Sequence, residues 1–508
     1  MEAEQTTEFG PFVFRADRME LVRDGTPLPL GHRALKLLKA LATADGVVTK
    51  AALMEAGWAN SVVEEGNLTV QIAALRRVLG TRPDGSPWII TVPREGYRLV
   101  KRSPPAAGAS TPFLTVLPFH NLSSDPEQSY FADGVLQDLI TGLSRFRTFA
   151  VVAGPLISAF RDRTADLHEV IRQLGASYVL EGSVRKAGDR LRITTQLSDG
   201  KSGAQLWAQT FEGTLEDVFA FQDRITEGVV AVVEPSIKYA EIDRARRKPA
   251  SDQTVYDLYF QALSTATAAD GDAVARSIEL IERALTIDPT FVPALGVAAS
   301  AHLALYDRQL PGSGDAQRQR GLGFARAALA NAGNDAFVRA VAGYALIVLS
   351  DDFDGGMIAL RQAATDNPNS AAVQTYFGTG ALHAGTLAEA EEAMRRALKL
   401  NVNDISAPWA LTGLAHIAMC RQDYDAALEW AHRAQLSSLQ NNGPNLWILT
   451  AANALLGRNH EAQRWRGVLE TRLPDTTIAA LRRGQRMRDP LRIEVIIEGL
   501  RRAGVRER

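Results

Sequence analysis

A chain of 508 residues with 56 Lys+Arg against 58 Asp+Glu has a formal charge of -2, so no global field draws it to nucleic acid or to an anionic membrane, and any such attraction must be local. At roughly 100 to 200 residues per domain the length suggests three or four units. The single cysteine, Cys420, excludes an internal disulfide and a cysteine-based zinc cluster and fits a reducing cytosol. No apolar run approaches the ~18 residues that span a bilayer, and the acidic start MEAEQTTEFG is unlike a signal peptide. The expectation is a soluble, cytoplasmic, modular protein without a membrane partner.

Residues 8–30 alternate apolar and polar positions around Asp24-Gly25, the pattern of short antiparallel strands. HRALKLLKALATADGVV follows as a helix with Leu35, Leu38 and Leu41 on one face and Gly46 marking its end, and KAALMEAGW is a second, short helix. In EEGNLTVQIAALRRVLG, at 64–80, Leu68, Ile72, Leu75 and Leu79 form one narrow stripe at 100° per residue. Opposite them lie Val70, Ala73, Ala74 and Arg77, with Asn67 and Gln71 on one shoulder and Thr69 and Arg76 on the other. That outer face is slim and bears amide and guanidinium groups, the properties a helix needs to approach base edges in a major groove. An ordinary solvated helix with two arginines has the same face. WIITVPREGYRLV then gives two extended arms around Pro93 to Gly96, read as a hairpin. Residues 31–102 hold 11 Lys/Arg and 6 Asp/Glu, whereas residues 1–30 hold 3 and 6, so the basic excess coincides with this helix.

Strands, three helices and a terminal hairpin are the parts of a winged helix-turn-helix. In RALKLLKALATADGVV, ALMEAGW, NLTVQIAALRRVLG and TVPREGYRLV, the first 102 residues resemble the winged-helix domain of OmpR-type response regulators. The resemblance implies double-stranded DNA as partner, with Asn67, Thr69, Val70, Gln71 and Ala74 at the major groove, Arg76 and Arg77 near phosphates or bases, and Arg94 at the wing tip near the minor groove. It leaves Leu68, Ile72, Leu75 and Tyr97 to the core. Ala73 and Ala74 stand where relatives carry long basic residues, and Pro93 where the wing usually has arginine. Fewer cationic contacts imply weak binding by one copy and reliance on two or more at tandem sites.

KRSPPAAGASTP, at 101–112, is a Pro/Ala/Gly/Ser linker, with 103–112 between the first domain and a second at 113–240. The second reads as α/β: strand FLTVLPF, helix YFADGVLQDLITGLSRF, strand FAVVAG, helix LHEVIRQLGA, the hairpin SYVLEGSVRKAGDRLRITTQLSD, strand AQLWAQTFEG and a closing helix LEDVFAFQDRITEGVVAVV. A phosphoacceptor receiver would need an acidic pair after its first strand and an aspartate ending its third, and neither is present. The string instead resembles the TolB-N-like domain of bacterial regulators and of some adenylate-cyclase-class proteins, which implies a sensing or interaction module without catalytic residues.

From 251 to 475 the chain is alanine-rich and helical, with Gly385, Leu387, Ala390, Met394 and Ala397 at tetratricopeptide spacing. A step of 34 residues back lands on Ala363, with Phe353, Leu360 and Pro368 in register. Further units carry Ala284 and Pro289; Tyr424, Ala427 and Ala434; and Gly457 and Ala462. Such an array stacks into a solenoid whose concave surface suits a peptide or helix, although a plain helical bundle shares the composition. Residues 476–508 read as capping helices, with Leu491, Val495, Ile496 and Leu500 inward and the arginines in water.

No GxxxxGK[ST], HExxH or GxSxG motif occurs. GLGFAR at 321 lacks the third glycine and preceding strand of a dinucleotide loop, and His416 in GLAHIAMC reads as packed core. No catalytic residue, metal or cofactor is expected. The order of domains is similar to that of CadC- and HilA-like regulators, without the membrane span of CadC. It implies a sequence-specific transcriptional regulator controlled by a partner or ligand through its central and repeat domains rather than by a receiver phosphorelay, with RNA polymerase or another protein as partner at the repeat groove and self-association as one route. The alternative is a scaffold whose winged helix contacts protein.

Overall fold

A computed structural model describes residues 6–9, 12–23, 26–44, 48–58, 65–80, 87–92, 96–99, 111–123, 128–152, 176–214, 218–266, 271–307, 310, 312–437 and 443–508. The chain forms two compact units, Met1–Ser110 and Thr111–Arg508. Asp24-Gly25, Gly46, Pro93, Arg94, residues 103–110 of the linker and residues 167–175 of the expected helix LHEVIRQLGA lie outside the described residues.

In the first unit, strands β1 (Thr6–Phe9), β2 (Phe12–Arg15), β3 (Glu20–Arg23) and β4 (Thr26–Pro27) make an antiparallel sheet in sequential order. Alternation along β2 buries Phe12 and Phe14 and leaves Val13 and Arg15 half-exposed. Phe9 and Phe12 meet Trp88 edge-on, with ring centroids 5.8 and 5.6 Å away. The same core takes in helices α1 (His32–Thr43), α2 (Lys50–Trp58) and α3 (Glu65–Leu79). On α1 the buried positions are Ala34, Leu37, Leu38, Leu41 and Ala42, and Leu35 is only half-buried. The expected stripe is therefore rotated, because the small Ala34 occupies its centre and lets the helix approach closely. Strands β5 (Val48–Thr49), β6 (Ile89–Val92) and β7 (Gly96–Leu99) form a second antiparallel sheet, ordered β5-β7-β6. A Cβ at Gly96 would sit 2.0 Å from the Val48 carbonyl oxygen, so only glycine lets β7 lie against β5.

The second unit opens on a mixed sheet. Strand β8 (Phe113–Val116) runs parallel to β10 (Ala150–Val152) and β11 (Tyr178–Ala187), and β9 (His120–Asn121) also pairs with β11. β12 (Arg190–Asp199) and β13 (Gln205–Thr214) continue antiparallel. Apolar side chains of α4 (Gln128–Leu143) and of the 30-residue α5 (Val218–Arg247) share the core of this sheet. α5 runs straight through residue 240, where the sequence suggested a domain edge, and its second half is buried on two sides. Toward the sheet, the Tyr178 hydroxyl donates to Glu241 at 2.6 Å and Arg244 pairs with Asp199. Toward the repeats, Lys238 sits 5.4 Å above the Phe337 ring and forms a buried 2.8 Å ion pair with Glu234. Burial works against the Lys238 ammonium, but Glu234 and then Asp404 outweigh it and raise its pKa. Pro235 lies inside α5 and has no N–H for the Ala231 carbonyl four residues earlier. Asn401 Nδ2 donates to that carbonyl instead, at 3.3 Å.

The remaining helices are α6 (Val255–Leu263), α7 (Gly271–Ile287), α8 (Val292–Asp307), α9 (Asp315–Asn331), α10 (Ala336–Ser350), α11 (Phe353–Asp366), α12 (Ala371–Ala384), α13 (Leu387–Leu400), α14 (Ala407–Cys420), α15 (Tyr424–Ser437), α16 (Gly443–Leu455), α17 (Asn459–Arg472), α18 (Ile478–Gly484) and α19 (Leu491–Arg502). They stack as antiparallel pairs with the expected small residues between them: Ala284, Ala363, Ala390, Ala397, Ala427, Ala434 and Ala462 are all buried. Thr386 and Glu389 make a reciprocal capping box at the start of α13. No described helix is long and apolar enough to cross a membrane.

The C-terminal helix turns Ile496 and Leu500 inward as expected and differs from the expected stripe at Leu491 and Arg492. Leu491 is 76% exposed, and the inward face of α19 is Ile493, Ile496, Ile497 and Leu500. Arg492, expected in water, is turned into the protein. Its Nη1 donates to the Leu382 carbonyl at 2.6 Å and its Nη2 to that of Gly385 at 2.8 Å. These carbonyls belong to the end of α12, where the helix leaves acceptors unpaired and the dipole favours a cation.

Two stability predictions follow from this packing. Asn401→Ala strips the Ala231 carbonyl of its donor and costs about 1 kcal/mol, and it costs less in a Pro235→Ala background, where the backbone N–H returns. Denaturant midpoints around this double-mutant cycle test it. Burial, reinforced by Arg320 at His302 and by Arg492 at the other two, pushes His302, His383 and His416 down from 6.5 to about 4. Above about pH 6.5 each is neutral whether folded or unfolded, but between 6.5 and 4 the unfolded chain binds protons that the fold refuses. The second unit therefore loses stability across that window, with a ceiling of about 3 kcal/mol per histidine, and His383→Gln flattens the pH profile of thermal unfolding.

Candidate nucleic-acid interface

The geometry of α3 follows from its stripe. Leu68, Ile72, Leu75 and Leu79 are at most 2% exposed, and they seat the helix on the core shared by α1 and the strands. Gly80, at φ +65°, ends the helix with its N–H on the Arg76 carbonyl at 2.9 Å. With the inner side fixed, the rest of the helix is presented outward. Asn67, Thr69, Val70, Ala73 and Arg77 are exposed, Val70 by 62%, and Gln71 and Ala74 are half-buried on its flank. The structure thus brings the expected Asn67, Thr69, Val70, Gln71, Ala74 and Arg77 onto one helix surface. Arg94 lies outside the described residues, so its position at the hairpin tip is not described.

Arg76, expected near phosphates or bases, is engaged within the protein. Its Nε donates to the Ile89 carbonyl at 2.8 Å, its Nη2 to Thr91 Oγ1 at 2.9 Å, and its guanidinium carbon lies 5.9 Å from the Tyr97 ring centre. A cation engaged in this way braces α3 against the β6-β7 hairpin and fixes the angle between helix and wing. The sequence held a signal for it: Arg76 is four residues after Ile72 and one after Leu75, on the rim of the apolar stripe, where a long stem packs along protein. Sequence reasoning also passed over Arg98, which alternation along β7 leaves exposed between buried Tyr97 and Leu99. Among the described residues, no group of His, Cys, Asp and Glu could hold a metal.

Residues 25–99 match the family model described as transcriptional regulatory protein, C terminal, and residues 110–228 match that of the HilA/YgeH-like transcriptional regulator, second domain. The architecture is an OmpR-type winged helix, a HilA-like second domain and a tetratricopeptide-like array. Over 465 residues, 90% of this chain and 81% of the relative, the sequence is 23% identical to the transcriptional regulator HilA of Salmonella typhimurium. Over 242 residues it is 34% identical to a Rhizobium meliloti protein with the provisional name adenylate cyclase 3, and that match spans 48% of this chain but only 41% of the relative. Among solved structures, the DNA-binding domain of CpxR from E. coli is similar over 19% of this chain and 96% of its own, at 30% identity and a TM-score of 0.18. The type IV pilus biogenesis factor PilW is similar over 48% and 97%, at 17% identity and a TM-score of 0.32.

Within the OmpR-type winged helix the two adjacent arginines have separate tasks. Arg76→Ala removes three tethers and leaves the Ile89 carbonyl without this donor, a loss of about 1 to 3 kcal/mol. Hydrogen exchange on the full chain is expected to quicken through 89–99 in that variant, whereas Arg77→Ala leaves the protection pattern unchanged.

Proposed function

We propose that the protein is a sequence-specific DNA-binding transcriptional regulator in which α3 of the winged helix reads the major groove. Asn67, Thr69 and Gln71 supply hydrogen-bonding groups to base edges. Val70 and Ala74 provide apolar contact and the slimness that close approach needs, and Arg77 binds phosphate or guanine. Arg94 serves the minor groove at the wing, with Arg98 on the adjoining strand as a second cation. The observation that carries the reading is the outward face of α3: amide-bearing, cationic at one end, and presented by a core that holds its opposite side.

Control in this reading is exerted by a protein partner or ligand acting on residues 113–240 and 251–475. No receiver phosphorelay is involved, because the strands FLTVLPF and FAVVAG end without the acidic groups that phosphoryl transfer requires. RNA polymerase is one candidate partner. The sparse cationic surface favours two or more copies on tandem sites, so a signal that changes self-association changes occupancy. The cycle needs no chemical step, cofactor or membrane, and it operates in the cytoplasm where promoter DNA is.

The test is selection of bound DNA fragments by the full chain at physiological salt, beside an Asn67→Ala/Gln71→Ala/Arg77→Ala variant. An enriched motif, notably a direct repeat, that vanishes in the variant is the expected result; enrichment of nothing by either protein overturns the reading. Once a site is known, Gln71→Ala is expected to cost about 1 to 3 kcal/mol at one base position and to relax specificity there. Arg77→Ala weakens binding across sequences and lowers the salt slope by about 1 if its contact is to phosphate.

A further inference from the structure

Residues 485–490 connect α18 to α19, and the stretch 484–492 around them lies along the first helices of successive pairs, the side a solenoid uses for recognition. At one end, Gly484 is pressed on the last turn of α8, where an added Cβ would stand 2.2 Å from the Asp307 carbonyl oxygen. Gln485 Nε2 donates to that same carbonyl at 3.3 Å and also to the Asp307 carboxylate. In the middle, the segment pairs with His383 of α12 twice. His383 Nδ1 donates to the Arg486 carbonyl at 2.7 Å, and the Arg488 N–H donates to the His383 carbonyl at 2.8 Å. Tyr344 donates to His383 Nε2 at 3.2 Å, which fixes the neutral tautomer. At the far end, His416 Nε2 of α14 donates to the Arg492 carbonyl at 2.8 Å, while the Arg492 guanidinium caps α12 as described above.

These contacts are those of a peptide held in a receptor: main-chain groups are read by fixed side chains, and a glycine, a glutamine and two arginines are read by their own partners. The second arginine is Arg492, and the first, Arg488, pairs with Asp354 of α11 and lies 5.6 Å from the Phe353 ring centre. The segment does not fill the site. A cavity of about 160 Å³ remains beside Gln485, walled by α5 at Lys238 and Ile242 and by Tyr344, Tyr376 and Trp409 of the array. The carbonyls at the α12 C-terminus, which take the Arg492 guanidinium, and the carboxylates of Asp307, Asp351 and Asp354, which meet Gln485, Arg486 and Arg488, suit a basic partner and repel an acidic one.

We propose that this face is a recognition site for a protein segment with the pattern Gly-Gln-x-x-Arg-x-x-x-Arg, and that residues 484–492 occupy it in cis. A partner engages the array by presenting a glutamine and arginines at that spacing and displacing the tail. Only the regulatory consequence of this exchange rests on the reading of the chain as a transcription regulator; the site itself does not.

The experiment uses the full chain and a fluorescent peptide of residues 481–494, followed by anisotropy without DNA. Gly484→Ala places a methyl group against the Asp307 carbonyl and is expected to free the tail, seen as faster hydrogen exchange over 484–492 with the array still protected. The labelled peptide then binds at least about tenfold more tightly than to the unsubstituted chain, and a peptide carrying Arg492→Ala loses about tenfold, the value of one charge-assisted contact. If Gly484→Ala disturbs the array, Arg488→Ala in the chain, on a partly exposed side chain, serves in its place. Equal peptide binding by chains with held and freed tails, or a tail that neither substitution releases, overturns the proposal. A dimer of the freed chain that the peptide dissociates supports the site and makes a second copy its occupant. Because no DNA is present, failure here leaves the DNA selection untouched, and failure of that selection leaves the peptide result standing.

Discussion

The second unit depends on one helix that must satisfy two neighbours at once. α5 covers the mixed sheet with Phe221, Ile225, Val229, Val233 and Ile237, and its other side lies against the repeats. Where this helix is buried on both sides, polar groups cannot turn to water, and several find partners within the protein. Glu234 and Lys238 neutralise each other, Glu241 takes the Tyr178 hydroxyl, and the Ala231 carbonyl orphaned by Pro235 is met by Asn401 from the loop after α13. A proline that would weaken an isolated helix thereby becomes a point of attachment, because the vacated acceptor needs a donor that only the array supplies. This joint explains why residues 111–508 form one compact unit although they combine an α/β layer with a solenoid.

The winged helix works under a different constraint, economy of cations. Of the adjacent arginines near the end of α3, one is used to hold the wing and the other is left to solvent. The brace sets the angle between helix and hairpin before any nucleic acid arrives, so less ordering has to occur on binding. The cost falls on electrostatic attraction, which depends on the number of phosphates met. In the proposed function a single winged helix binds weakly, and the larger part of the chain is left to interaction.

That larger part is already engaged with itself. Three buried histidines are held neutral by desolvation, and two of them grip the carbonyls of the segment between α18 and α19. Neutral imidazoles suit the task because a ring can donate from one nitrogen and accept at the other, as His383 does between Arg486 and Tyr344. Arg492 shows how helix ends become a receptor: the unpaired last-turn carbonyls of α12 gather around one guanidinium.

The sequence by itself determined whatever is set by local period and spacing. The stripe of α3, the strand alternation of β2 and β12, and the 34-residue register of buried alanines are consequences of neighbours along the chain, and they were legible there. So was the cluster of polar and basic residues on the outward side of α3. Tertiary structure alone decided which of two adjacent arginines is turned inward, because that depends on where β6 lies, more than ten residues later. It also rotated the face of α1 toward Ala34, carried α5 past residue 240, and turned Arg492 from water into the groove. Arg76 and Arg492 are each turned by carbonyls supplied by a distant segment, and no local pattern can announce such a partner.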